Sequence, residues 1–514
     1  MTCSARLLLD TTPLLRAYAD LRSFLLEIRD PIDTQRLILE DLVRRARDTR
    51  FGREHDFARI ANVGDFQQRV RLRHYEDFWR DYWEPGFPHL ADCTWPGLIP
   101  YFARTSGTTA GESKYIPCSE EMITANLHAG EDVFVHHILN RPQSQVLAGK
   151  CLLLGGSTDL TEEAPGIYSG DLSGIEARTL PSWKRPWFYP PLELALNPDW
   201  EEKIDRIARS CLDEDIRAIS GAPNWMLLFF DRLAEVAPGG ADLAAAFPQL
   251  ELVIHGGIDF APYRDRFRRI LAATSAETRE VYFASEAAIA IADRGDGDGL
   301  RLLSDNGIFF EFVPVEDLKC VKPTRHWLAT VETGIEYAVV VSTCAGAWAY
   351  VLGDTVRFID REPPRLLITG RTSYLLSAFG EHVIGEQIEQ AMRLATGAID
   401  AAVADYCAGA VFPQSEGAGR HHYIVEFADG IPGAQRMEAF AAGLDEALAA
   451  ANADYREHRA GDFGLAPPQV QAVAPGTFAA WMKKRGKLGG QHKVPRVIND
   501  AKLFASLVEF AGKS

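Results

Sequence analysis

The run Thr105-Ser-Gly-Thr-Thr-Ala-Gly-Glu-Ser-Lys-Tyr-Ile-Pro117 gathers hydroxyls, two glycines and one lysine into a short stretch. Such groups hold phosphate: glycine lets backbone N–H groups close on an anion, hydroxyls add donors, and Lys114 brings a point charge to a polyphosphate. The apolar residues Leu98 to Phe102 ahead of the run read as a strand, and Ser119-Glu-Glu behind it reads as a helix N-cap with acid in the first turn. The frame is strand, loop, helix, and the expected ligand is ATP. A Walker A loop is excluded, because Glu112 stands five places after Gly107 and Lys114 follows a serine. For the loop alone, a Ser/Thr/Gly-rich surface turn is the competing reading.

Three more clusters carry chemistry. Glu280-Val-Tyr-Phe-Ala-Ser-Glu286 ends a strand-like run in a hydroxyl and a carboxylate suited to Mg2+ beside a polyphosphate, with Tyr282 placed to stack on a base. An aromatic ahead of an acid also marks an ordinary strand end. Trp348-Ala-Tyr-Val-Leu-Gly-Asp354 stops an apolar strand at Gly-Asp, where a carboxylate can accept both hydroxyls of a ribose, although Gly-Asp is equally a common turn. Gln491-His-Lys-Val-Pro-Arg496 follows Gly476-Thr-Phe and Gly489-Gly490. A lysine on such a segment of a mobile domain enters a site late and stabilises charge that develops in the transition state.

These groups need a scaffold. Amphipathic periodicity over Pro31 to Arg47 predicts a helix, and Trp79, Tyr82 and Trp83 read as core anchors. Strand-like runs at Lys150 to Leu154, Leu250 to His255, Ile308 to Val313 and Glu336 to Ser342 alternate with helical stretches at Trp200 to Leu212 and Asn224 to Val236. That alternation argues for an α/β layered domain. Pro363 and Pro364 precede a shift towards alanine, so we place a hinge between Asp360 and Tyr374, a large domain over 1–365 and a smaller α/β domain over 366–514. The latter holds a strand at Tyr423 to Phe427 and a helix at Arg436 to Ala451.

A chain of 514 residues, 47% of them hydrophobic, can build more than one core. Its 54 basic and 71 acidic residues leave a net charge of −17, which argues against nucleic acid and anionic membranes as partners. Eight cysteines without a C-x-x-C pair predict neither a zinc site nor a disulfide framework. The N-terminus lacks a signal-peptide core and no stretch reaches the length of a membrane span, so the expected location is cytoplasmic. No feature specifies an oligomeric state.

Taken together and in this order, the clusters closely resemble the acyl-adenylating enzymes related to firefly luciferase, and within them the auxin-responsive Gretchen Hagen family of acyl-acid amido synthetases, bacterial-type members in particular. The family signatures S-S-G-T-[ST]-x-G-E-x-K-x-x-P, Y-x-[SA]-S-E and T-x-A-G-x-x-x-Y-x-x-G-D resemble Thr105 to Pro117, Tyr282 to Glu286 and Thr343 to Asp354. The likeness extends to Phe309-Phe-Glu-Phe-Val-Pro314, Glu336-Tyr337, Asn452 to Arg459, Gly476-Thr-Phe478 and Gln491 to Arg496.

The resemblance implies an α/β fold with a large N-terminal adenylating domain of layered sheets and helices, and a smaller mobile C-terminal domain that rotates near Arg371. It implies ATP and Mg2+ as cofactors. Thr105, Ser106, Gly107, Thr108, Thr109 and Lys114 would hold the phosphates, Tyr282 and Phe283 the adenine side, Ser285 and Glu286 the Mg2+ side with Glu286 as metal ligand, and Asp354 the ribose, with Arg371 beside it. Lys114, His382 and Lys493 would be the catalytic cations. The sequence departs from the pattern at Thr105, which replaces a serine, at Val351, where plant members tend to have arginine, and at His382, where relatives often have lysine. The last leaves open whether His382 or Lys493 contacts the α-phosphate.

The implied reaction is carbon–nitrogen ligation: a small carboxylic acid becomes acyl-AMP, and an amine, expected to be an amino acid, takes the acyl group. Rival readings are an acyl-CoA ligase, a nucleotide-binding sensor motivated by His382 and Val351, and an ATP-independent acyltransferase suggested by the pair His128 and Asp132 with Asp462-Phe-Gly464. Residues from about 120 to 260 are expected to line the acyl pocket, where Phe134, Trp183, Trp187, Phe188 and Trp225 would favour an aryl or apolar acid unless they are core.

Overall fold

The computed structural model describes residues 9–105, 114–155, 160–197, 200–238, 242–258, 260, 263–295, 297–318, 320–371, 375–399, 401–413, 418–428, 430–462, 464–485 and 495–512. Two compact units divide the chain, the first taking in Met1–Thr105 and Tyr115–Thr372 and the second Ser106–Lys114 and Ser373–Ser514.

In the first unit, local chemistry sets the helix starts. Asp30 caps Pro31–Ala46 by accepting from the Ile32 and Asp33 N–H groups, and Pro31 is already set for a first helical turn. Leu39, Leu42, Val43 and Ala46 of this helix face the core. Ser119 caps Glu120–Asn140: its Oγ accepts from Met122 N–H at 3.1 Å and donates to the Cys344 carbonyl at 2.6 Å, which ties the helix start to the turn after Glu336–Thr343.

Eleven strands form one mixed sheet among the described residues, in the order Ile308–Pro314, Glu336–Thr343, Tyr350–Arg361, Pro364–Arg371, Leu300–Leu302, Ala287–Ile291, Glu277–Ala284, Leu252–Gly256, Ile216–Gly221, Lys150–Leu154, Phe188–Tyr189. The half from Ile308 to Ala284 is antiparallel, and the half from Glu277 to Tyr189 is parallel. Buried strands rich in Val, Ile and Phe, such as Ile308–Pro314, run between covered faces. Pro363 and Pro364 sit at the tip of the hairpin joining Tyr350–Arg361 to Pro364–Arg371, so the polypeptide from Asp360 to Arg371 belongs to this sheet.

A second, four-stranded sheet runs in the order Lys114–Cys118, Tyr101–Thr105, Ile167–Gly170, Leu160–Ala164. The strand expected from Leu98 to Phe102 starts later, at Tyr101. Pro100 has no N–H to give to a ladder, and the Ile99 N–H is already spent on the Leu90 carbonyl at 3.0 Å.

The second unit is a three-stranded sheet, with Val403–Val411 antiparallel to Arg420–Phe427 and Gln469–Val473 parallel to it. Its side chains alternate between two cores. Tyr406, Ala408, Tyr423 and Val425 pack with the helices Gly385–Ala398 and Ala434–Ala451. Cys407 and Ile424 pack with Thr477–Lys484 and Ala501–Ala511. No helix among the described residues is long and apolar enough to cross a membrane. The described cysteines are free thiols, and no group of three or more His, Cys, Asp or Glu placed to hold a metal occurs among the described residues.

Each unit carries a buried histidine whose pKa burial pushes down to about 4, His136 in the first and His422 in the second. Unfolded, each takes up a proton near its ordinary 6.5; folded, it resists until about 4, so the unfolded chain binds more protons in between. Stability is therefore present above pH 6.5 and falls as the pH drops from 6.5 to 4, by roughly 3 kcal/mol for each histidine. Urea midpoints measured across that window should fall with acidification, and His136→Gln or His422→Gln should remove its share of the slope.

Candidate functional site

Two clusters that are far apart in sequence meet at the middle of the large sheet, joined there by Arg371. The Tyr282 hydroxyl donates to Asp354 Oδ2 at 2.7 Å, and Arg371 Nε sits 2.8 Å from Asp354 Oδ1. Strand register sets this meeting, since Asp354 pairs directly with Arg371 across the hairpin. Asp354 itself occupies a bulge: Val351 pairs with Val340 and Thr355 with Ala338, so Leu352, Gly353 and Asp354 share the single opposite residue Val339. Gly353 bends the strand there with φ +96, a conformation that glycine adopts without strain. Tyr282 and Asp354 are buried, and Arg371 is partly exposed. Burial first, then the charge of Asp354, pushes the Tyr282 pKa well up, so the phenol stays a donor.

Ser285 and Glu286 form the two-residue turn between Glu277–Ala284 and Ala287–Ile291, and both are half-buried. The Tyr350 hydroxyl donates to Glu286 Oε1 at 2.8 Å. Tyr350 is buried, and its pKa too is pushed well up by burial and then by the Glu286 charge. Phe283 packs with Ile291, Ile254 and Ala288 in a neighbouring hydrophobic cluster.

Thr105 and Lys114 stand at the facing ends of two strands of the small sheet. The sheet is fastened close to the Glu286 turn. Tyr115 N–H donates to the Tyr75 hydroxyl at 2.9 Å, and the Tyr115 ring stacks on Trp79. The Cys118 thiol, at the other end of the Lys114 strand, is pushed up to about 12 by burial, with the Glu176 and Glu286 carboxylates adding to the rise. Ser106, Gly107, Thr108, Thr109 and Lys493 lie outside the described residues.

His382 belongs to the second unit. It takes a left-handed backbone, φ +43, two residues after Gly380 at φ +94. Its Nδ1 lies 3.1 Å from Asp454 Oδ2, and its carbonyl accepts from Asn452 Nδ2 at 3.2 Å. The preceding Glu381 is fully buried and accepts from the Ala378 and Phe379 N–H groups and from His421 Nε2 at 2.7 Å. Burial opposes its charge, but the His421 contact outweighs that and holds its pKa below the ordinary carboxylate range.

Tyr75 and Tyr350 are the positioning groups that residue-type reasoning did not assign. Tyr350 left a signal, since it is the tyrosine of the Thr343 to Asp354 motif; Tyr75 left none. The His128 and Asp132 pair does not form: His128 is exposed, while buried Asp132 is held by Arg22 at 2.6 Å.

Family models match along the chain: a GH3 family N-terminal domain over residues 20–199, a GH3 family central domain over 301–371 and a GH3 family C-terminal domain over 386–502. The chain belongs to the GH3 family. It is 29% identical over 219 residues to indole-3-acetic acid-amido synthetase GH3.8 of Oryza sativa subsp. indica, a match covering 39% of this chain and 34% of that protein. It is 31% identical over 214 residues to probable indole-3-acetic acid-amido synthetase GH3.9 of Oryza sativa subsp. japonica, covering 38% and 46%. The chain thus spans about a third to a half of the length of the curated relatives it matches. Two solved structures share its fold. GH3.15 acyl acid amido synthetase has a TM-score of 0.57 at 16% identity, over 94% of this chain and 93% of that one. 2-Hydroxyisobutyryl-CoA ligase, in complex with 2-HIB-AMP and CoA, has a TM-score of 0.58 at 15% identity, over 93% and 91%.

The turn that delivers Tyr350 and Asp354 in this GH3 chain is itself tightly specified. Thr343 Oγ1 accepts from the Ala345 and Ala347 N–H groups, and Trp348 Nε1 donates to the Thr94 carbonyl at 2.9 Å. Gly346, at φ +87, lies against Thr94 so closely that a Cβ would fall 2.5 Å from its Oγ1 and 2.7 Å from its carbonyl carbon. Gly346→Ala should cost roughly 3 kcal/mol in urea unfolding, from backbone strain plus the clash. Gly97→Ala, at φ +77 with nothing within 4 Å, should cost only about 1–2 kcal/mol.

Proposed function

We propose that this GH3 protein is an ATP-dependent acyl-acid amido synthetase, which activates a small carboxylic acid as acyl-AMP and transfers the acyl group to an amine, expected to be an amino acid. The observation that carries the reading is Asp354, a buried carboxylate pinned between Tyr282 and Arg371 beside the Glu286 turn. Each of its oxygens has one partner in this network, and a carboxylate offers about four acceptor positions in all, so two ribose hydroxyls can still be received. Tyr282 and Arg371 keep the group aimed. The family names of the matched relatives point the same way.

In the first half-reaction a carboxylate oxygen of the acid attacks the α-phosphorus of ATP, the bond to the β-phosphate oxygen breaks and pyrophosphate leaves. In the second, the amine nitrogen attacks the acyl carbon, the bond to the AMP oxygen breaks, and the amine gives up a proton. No protein nucleophile is needed; the chain contributes position and charge. Lys114 and the hydroxyls and backbone from Thr105 to Thr109 would receive the phosphates. Mg2+ fits Glu286, because a nucleotide-bound Mg2+ ordinarily takes only one or two carboxylates besides phosphate and water, and Tyr350 orients this one. When bound, the ion would neutralise phosphate charge.

Under this reading the chain acts as a large adenylating domain that extends through the strand Pro364–Arg371, beyond the expected boundary at 365, and a small domain after it that rotates near Arg371 and brings Lys493 and His382 to the reaction in turn. A cytoplasmic location goes with it.

Mass spectrometry of reactions containing Mg·ATP and a matrix of carboxylic acids, each offered mixed amino acids or CoA, tests the proposal. An amide with AMP is expected, lost in Lys114→Ala, with Asp354→Asn raising the KM for ATP at least tenfold. A thioester would move the protein to the CoA ligases, and absence of any ATP-dependent product would favour a sensor.

A further inference from the structure

Among the described residues, the helix Thr12–Ile28 is held firmly on one side and exposed on the other. Ala19 is fully buried, and Arg22 grips both Asp132, at 2.9 and 2.6 Å, and Asp305, at 2.6 and 3.0 Å. On the opposite face Leu14 is 70% exposed, Tyr18 40%, Leu21 55%, Phe24 56% and Ile28 60%. These five are spaced at intervals of 4, 3, 3 and 4 residues, so they line one stripe of the helix.

The stripe is symmetric about Leu21. A two-fold axis through that residue, perpendicular to the helix, sets Leu14 opposite Ile28, Tyr18 opposite Phe24, and Leu21 opposite itself. The same operation brings the small Ala17 against the larger Leu25, which both lie within the stripe. A surface that meets itself in this way is what an isologous dimer requires. The area is also adequate: five half-exposed large side chains leave on the order of 500 Å2 on each copy, and about 1,000 Å2 in all is where specific interfaces begin. A membrane surface fits poorly, because the polar side of the helix carries Arg16, Asp20 and Glu27 rather than a basic array, and the chain has a net charge of −17.

We propose that the exposed face of Thr12–Ile28 binds a second copy of this chain, the two helices packing antiparallel about a two-fold axis at Leu21.

Sedimentation velocity on the full chain tests this. The wild-type protein should sediment at twice the 56.9 kDa chain mass, and Leu21→Glu, which sets two carboxylates face to face on the axis, should be monomeric with an unchanged thermal midpoint. Cysteine pairing reads the geometry even if Leu21→Glu folds badly: under mild oxidation Leu21→Cys should form a covalent dimer, and Leu14→Cys should cross-link to Ile28→Cys in a mixture of the two but not to itself. A monomeric wild type, a dimer that persists in Leu21→Glu without cross-linking through Cys at 21, or a monomer that binds vesicles of anionic phospholipid through this helix would each overturn the proposal.

Discussion

A carboxylate taken out of water needs donors and a cation built around it, and Asp354 imposes that requirement on the first unit. Tyr282 has to arrive from one strand and Arg371 from another, at opposite oxygens of the same group. The register of the Tyr350–Arg361 and Pro364–Arg371 hairpin supplies the cation, and the central position of Glu277–Ala284 in the sheet supplies the phenol. The bulge at Gly353 then turns the carboxylate to the place where both can reach it.

Other parts of the unit extend from that point. Tyr350, four residues before Asp354, orients Glu286 on the adjoining hairpin turn, and Tyr75 and Trp79 fasten the strand that begins at Lys114. Thr94, the Trp348 indole and Gly346 in turn fix the approach of the Tyr350 strand. The second unit applies the same rule once more: Glu381, buried and paired with His421, anchors the loop whose next residue is the left-handed His382. In both places a buried carboxylate held by donors from distant residues fixes the backbone around it.

Features governed by nearest neighbours were legible in the sequence. Ser119 as a cap, the Pro31 helix start, the strand at Lys150–Leu154 and the α/β alternation follow from local propensity and side-chain period. The residue types at Tyr282, Glu286 and Asp354 also declared themselves, although the strand expected to stop at Gly353-Asp354 runs on to Arg361, with Asp354 at a bulge inside it. What could not be read was their pairing. Asp354 and Tyr282 are 72 positions apart, Arg22 and Asp132 are 110 apart, and Tyr75 and Tyr115 are 40 apart, so each contact depends on how distant strands and helices pack rather than on any local pattern. Leu98 to Phe102 shows the complementary error: an apolar run was displaced from its expected strand because Pro100 and the Ile99 to Leu90 bond intervened.

The central claim is that ATP is attacked at its α-phosphorus by a carboxylate. It is tested most directly by supplying an accepted carboxylic acid labelled with 18O in its carboxyl group and following the label through one turnover with an amine. One 18O atom should appear in AMP for each amide formed. Label in inorganic phosphate, with ADP as the nucleotide product, would contradict the account.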